Sequence, residues 1–195
     1  MTGPMISRAL MISNVAKKIG AYVVWGGPHA TILPEQTVEN SLIDYAIIGE
    51  GEYTFLELVQ ELKKGNKRLR VNGTAFKDNG KVVRLPPRQT IKNLDDLPMP
   101  AWDLLDNIAK YRFKFESSDK WVTSMVSSRG CPYKCAFCIN NTQLVKDYTG
   151  YWRGKSVENI IREYEFIWKL DSKIEGIYFR DDEFTMNRKR TKNQK

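Results

Sequence analysis

Three cysteines fall within eight residues: Cys131, Cys135 and Cys138, spaced C-x3-C-x2-C. They are the only cysteines in the chain. An odd number in one cluster is no disulfide framework and points to metal or redox chemistry. Thiolates are soft ligands that select zinc, copper(I) or iron–sulfur clusters. Structural zinc takes four closed ligands, usually in paired spacings. The single histidine, His29, lies far upstream, so a Cys3His site requires a long fold-over. Iron–sulfur clusters are normally held by four cysteines. Three therefore leave one iron open to another ligand, as a catalytic metal is left an open position. The bland alternative is packing as small hydrophobes. Gly130, Pro132 and Lys134 mark the segment as a loop and argue against it.

The elements that must position this loop can be read from periodicity. Trp121 opens a strand over residues 121–127, and the cysteine loop follows over 128–142. Ser156 is a good N-cap for a helix reaching Leu170, with Ile160, Ile161, Tyr164, Ile167 and Trp168 as its apolar stripe. A short strand over 176–180 is closed by Asp181, Asp182 and Glu183. The order is strand, loop, helix, strand: one βαβ unit with the thiols at the top of its first strand.

The N-terminal half has the same grammar. Residues 5–19 read as a helix with Ile6, Ala9, Leu10, Ala16 and Ile19 on one face and the small Ser13 within that stripe. Buried strands over 21–25 and 43–48 end in Gly26-Gly27-Pro28 and Gly49. A second helix over 53–64 presents Phe55, Leu56, Val59 and Leu62. This is α/β grammar with parallel strands, whose ligands sit at strand C-termini. Residues 74–77 and 81–85 flank Asp78-Asn79-Gly80 as a hairpin. Prolines 86, 87, 98 and 100 mark an extended linker, because proline interrupts helices and central strands. The expected organisation is an α/β domain over 1–85, a linker over 86–120, a second α/β region over 121–187 and a basic tail over 188–195.

With 195 residues, 42% hydrophobic and 28% charged, the chain has material for a real core. No apolar run reaches the ~18 residues that span a bilayer. The N-terminus does not read as a signal peptide, so the expected location is the cytoplasm, where thiols stay reduced. The net charge of +8 suggests a nucleic-acid partner, but five of those charges lie in the last eight residues. The body is ordinary, and the tail reads as a solvated, frayed end. The distribution argues against nucleic acid as a partner.

Cys131, Cys135 and Cys138, with Ser128-Arg129-Gly130 before them and Phe137 before the last, resemble the signature of the radical S-adenosylmethionine (SAM) superfamily. Gly26 to Thr31, Gly49-Glu50-Gly51-Glu52, Leu94 to Asp103, Tyr151 to Asn159 and Phe179 to Phe184 resemble its cobalamin-binding branch. The resemblance implies the C-terminal part of a flavodoxin-like or Rossmann-like cobalamin-binding domain, linked to the first βα units of a radical SAM partial (β/α) barrel. It implies that the three thiolates hold a 4Fe–4S cluster whose fourth iron is chelated by SAM. An electron from the cluster would cleave SAM to a 5′-deoxyadenosyl radical. It further implies that Phe137 approaches the adenine, and that Asp181, Asp182 or Glu183 meets the SAM ammonium. Gly26 and Gly27 would admit cobalamin closely. A small-molecule substrate and an electron donor such as flavodoxin or ferredoxin follow as partners. No catalytic side chain is assigned. The alternatives are helix capping for the acidic run, a tight turn for the glycine pair and loop packing for Phe137. His29 is not carried over as a cobalt ligand and reads as a loop histidine with a hydrogen-bonded ring.

A complete βα barrel takes about 250 residues. The chain is therefore expected to be a central slice of a longer enzyme, too short for turnover by itself, with the family pattern lost after about Arg188. A zinc or iron–sulfur module without catalysis, or a truncated reading frame without function, are the competing expectations.

Overall fold

The computed structural model describes residues 3–66, 69–114, 118–141 and 151–192. Thr142 of the cysteine loop and residues 193–195 of the tail lie outside them. The chain divides into two compact units: residues 1–91 with 134–150, and residues 92–133 with 151–195.

The first unit is built on a four-stranded sheet. Strand β1 (Val24–Trp25) pairs in parallel with β2 (Tyr45–Ile47). Strands β3 (Thr74–Asp78) and β4 (Lys81–Arg84) continue it antiparallel, in the order β1-β2-β3-β4. Asn79 and Gly80 both have positive φ, 51° and 78°. That is the requirement of a type I′ hairpin turn and the reason Asn-Gly serves here.

Both faces of the sheet are covered. On one, Ile6, Ala9, Leu10 and Ala16 of α1 (Met5–Lys18) pack against Val23, Trp25, Ala46 and Ala75. Ser13 is buried in that stripe and accepts a hydrogen bond from Trp25 Nε1 at 3.0 Å. Ile19 does not join the stripe. It lies past the end of α1 and is 78% exposed. On the other face, Leu58 and Leu62 of α4 (Glu52–Lys63) pack with Tyr45, Leu69, Val71 and Phe76. The buried line of α4 is Thr54–Leu58–Leu62, an i, i+4 row, and Phe55 and Leu56 face outward. Of the expected stripe Leu62 packs inward, while Thr54 and Leu58 take the interior places expected for Phe55 and Val59; the Thr54 hydroxyl accepts a hydrogen bond from Arg88 Nε.

Two short helices, α2 (Pro28–Ile32) and α3 (Pro34–Glu39), occupy the segment read as loop. Each has proline at its first turn, where the missing N–H costs nothing and φ is preset.

In the second unit, β6 (Trp121–Met125) pairs in parallel with β9 (Ile174–Phe179), and β5 (Phe113–Lys114) adds antiparallel to β6. Helix α5 (Val157–Leu170) connects the parallel pair and lays Ile160 and Ile167 on Met125 and Ile174. Glu163 takes the centre of the expected apolar stripe, while Ile161 and Trp168 remain half-exposed. The Ser156 hydroxyl caps α5 by accepting from Asn159 N at 3.2 Å. The fold is mixed α/β, and no closed barrel forms among the described residues.

The basic tail is not a frayed end throughout. Arg188–Lys192 form helix α6, and Arg190 is only 7% exposed. The expectation failed because a guanidinium can be buried wherever carbonyls and a carboxylate surround it.

Candidate functional site

The cysteine loop leaves the second unit at the C-terminal end of β6. There a short two-stranded ladder joins β7 (Ser128–Arg129) to β8 (Arg153–Gly154). Cys131 and Cys138 are half-buried and Cys135 is exposed. Cys135 and Cys138 share a turn, with Cys138 N donating to Cys135 O at 3.0 Å. Cys131 belongs to the second unit, Cys135 and Cys138 to the first. Among the described residues, no three His, Cys, Asp or Glu side chains come together as a metal-holding group. The donor chemistry, three thiols with one position left over, fits an iron–sulfur cluster with an open iron.

Asp181 follows β9. Its Oδ1 accepts from Ser127 N at 2.7 Å and Ser128 N at 3.0 Å, and its Oδ2 accepts from Ser127 Oγ. Both carboxylate oxygens are thus spent on the root of the cysteine loop. Glu183 Oε1 accepts from Thr185 N and Thr185 Oγ1, which closes a local turn. Asp182 is exposed. Phe137 is 94% exposed.

Beside this root lies a pocket of about 240 Å³, lined among others by Trp102, Met125, Arg129, Lys155, Glu163 and Arg180. It opens where β6 and β9 end, the usual ligand position of a parallel sheet. Glu163 is buried there, 2.6 Å from Lys155 Nζ, and it accepts from Trp102 Nε1 at 3.1 Å. Glu163 is not among the residues that the sequence singles out, and its partner Trp102 lies sixty-one positions away, a pairing that only folding creates.

Asp95, in the turn Leu94–Asp96, accepts from Ser156 N at the start of α5. Burial pushes its pKa up, but hydrogen bonds from Asn159 and Ser156 and the charge of Lys155 outweigh it and hold the carboxyl below its ordinary range. The helix N-terminus adds to that preference. The proline-containing stretch therefore docks its own acidic residue onto α5.

In the first unit, Gly26 and Gly27 follow β1, and Gly49 follows β2. Gly27 has φ 88° and ψ −167°, a region essentially open to glycine alone. A Cβ on Gly26 would meet nothing closer than Ile47 Cβ at 3.8 Å, so that position is not sterically closed. Thr31 joins the two strand ends: its hydroxyl donates to Gly27 O at 2.9 Å and accepts from Gly49 N at 3.0 Å. His29 sits in α2, not in a loop, with its ring edge-on to Trp25 at 6.3 Å. These loops lie at one end of the parallel pair and fit a ligand that approaches backbone closely.

Residues 1–59 match the B12 binding domain family. The chain is 40% identical to an uncharacterized methyltransferase of Pyrococcus horikoshii, over 93% of this chain and 38% of that protein. It is 30% identical to the anaerobic magnesium-protoporphyrin IX monomethyl ester cyclase of Rubrivivax gelatinosus, over 96% of this chain and 33% of that protein. Among solved structures it resembles the cobalamin-dependent S-adenosylmethionine radical enzyme OxsB with aqua-cobalamin and S-adenosylmethionine bound. The TM-score is 0.68 at 26% identity, covering 92% of this chain and 24% of that one. The chain thus spans well under half the length of the proteins it matches. The similarity is thus to a B12 binding domain and to a cobalamin-dependent S-adenosylmethionine radical enzyme. Among the described residues, no helix is long and apolar enough to cross a membrane.

Proposed function

We propose that this chain carries the cluster-binding and SAM-binding portion of a radical SAM enzyme that also uses cobalamin. Its parent reaction is methyl transfer to carbon or a ring rearrangement of a small molecule. The observation that carries the reading is the three-thiol set Cys131, Cys135 and Cys138 on the loop that leaves the first strand of a parallel βαβ unit. When bound, a 4Fe–4S cluster and SAM supply reductive cleavage to a 5′-deoxyadenosyl radical.

The chain's own residues have distinct parts in this reading. The thiolates hold three irons. Asp181 is already committed to Ser127 and Ser128, which leaves Asp182 as the acidic side chain to meet the SAM ammonium through a charge-assisted hydrogen bond. Phe137, exposed on the loop, offers a face to adenine. Gly26, Gly27 and Gly49 form the rim that would receive cobalamin. Electrons come from a donor such as a flavodoxin or ferredoxin.

The test is anaerobic reconstitution with iron and sulfide, followed by EPR with and without SAM. A reduced-cluster signal that shifts on SAM addition, lost in a Cys135→Ser variant and with a weakened SAM response in Asp182→Asn, is expected. Absence of any cluster, or stoichiometric zinc after aerobic purification, would overturn the reading in favour of a zinc module.

A further inference from the structure

Arg190, counted at first with the solvated basic tail, is the most elaborately held cation among the described residues. Its Nε donates to Lys155 O at 3.0 Å, and its Nη2 donates to Ser127 O at 2.9 Å and also to Ser127 Oγ. Ser127 Oγ in turn donates to Asp181. The guanidinium lies over the rings of Trp152 and Phe184, 5.6 and 5.9 Å from their centroids. Gly154 makes room for it: a Cβ there would come within 2.9 Å of Trp152 and 3.1 Å of Arg190 Nε.

Stability alone accounts poorly for this arrangement. Burying a guanidinium is expensive, and a buried ion pair is weak evidence for stability. Arg190 Nη1 and Ser128 Oγ remain buried with no hydrogen-bond partner among the described residues. Unsatisfied buried donors carry a further cost. What the network does accomplish is geometric. It ties α6, the carbonyl of Lys155 after β8, and the acidic turn after β9 to Ser127, four residues before Cys131.

We propose that Arg190, acting through Ser127 and Asp181, is a positioning residue that fixes the root of the cysteine loop and so the approach of the Cys131 thiolate to a cluster. The proposal rests on the cluster-binding reading above for its purpose, but its geometry can be tested without metal.

In the full chain free of metal, alkylation of each cysteine by iodoacetamide is followed by mass spectrometry. Arg190→Gln should raise the rate at Cys131 several-fold and leave the exposed Cys135 unchanged. Ser127→Ala, which removes the hydroxyl relay but keeps the bond from Arg190 to the carbonyl, should act in the same direction and less. Arg190→Lys should not rescue, since one ammonium cannot reproduce the planar fork. Ile167→Val, a core change in α5, is the stability control and should leave Cys131 as in the wild type. In reconstituted protein, Arg190→Gln should release iron to a chelator about tenfold faster or more, the usual scale for supporting shells of metal sites. Wild-type alkylation at Cys131 in Arg190→Gln, or an equal rise in Ile167→Val, overturns the proposal. If the wild type takes up no cluster while the alkylation difference persists, the cluster reading fails and the positioning role stands.

Discussion

At the scale of single residues, the polar groups of the second unit are committed in pairs across distant stretches of chain. Glu163 meets Lys155 and Trp102, Asp181 meets Ser127 and Ser128, and Asp95 meets Ser156. Asp95 carries a consequence for pH. Its folded pKa is lowered, so its contribution is present above the unfolded carboxylate value and disappears as pH falls through the folded one. Wild-type protein should therefore lose more stability than Asp95→Asn does as pH falls below the ordinary aspartate value of about 4. Urea unfolding at several pH values measures this, and parallel curves for the two proteins would refute it. That Asp95 would cap a helix was not legible from its sequence neighbourhood of Leu-Asp-Asp-Leu-Pro. Its partner Ser156 lies sixty-one positions on, a pairing only folding creates.

At the scale of elements, local rules were legible wherever the chain satisfied itself locally. The Asn79-Gly80 turn, the Ser156 cap and the stripe of α1 follow from neighbours within a few residues. Ser156→Ala should cost about 1 kcal/mol, the usual value of an N-cap. Chemical denaturation would show it as a shifted midpoint at constant slope, and an unshifted midpoint would argue that Asp95 alone sustains the helix start. The faces of α4 and α5 were less legible. Hydrophobic periodicity ranks residues by apolarity, whereas Thr54 and Glu163 were drawn inside by partners on other elements. Helices α2 and α3 are five and six residues long, too short for a periodic apolar stripe to show, and each starts at a proline.

At the scale of the molecule, the first unit presents Gly26, Gly27 and Gly49 at the ends of its parallel strands, and the second presents Cys131, the start of the cysteine loop, and the pocket at the end of its own. Gly27→Ala tests the first of these. The backbone there belongs to a region that costs of order 1–3 kcal/mol for other residues, so the variant should unfold at lower urea. If the rim also receives cobalamin, as proposed, hydroxocobalamin titration followed by its visible absorbance should show weaker binding in the variant than in wild-type protein under folded conditions. Equal affinity in both would move the cobalamin contact elsewhere in the unit.

Amino-acid types and spacing determined the donor chemistry: three soft thiolates, an acidic run after a strand, glycines after two others. They also determined the α/β alternation, because periodicity and turn chemistry are local properties. The tertiary structure alone decided which acid does what. Asp181 was turned to the loop root and Glu163 to the half-buried Lys155, and Arg190 was drawn out of a tail that composition marked as solvent. Burial of a charge depends on which carbonyls and carboxylates surround it, and many of those arrive from distant positions: Asp181 lies fifty-four residues from Ser127, and Arg190 sixty-three.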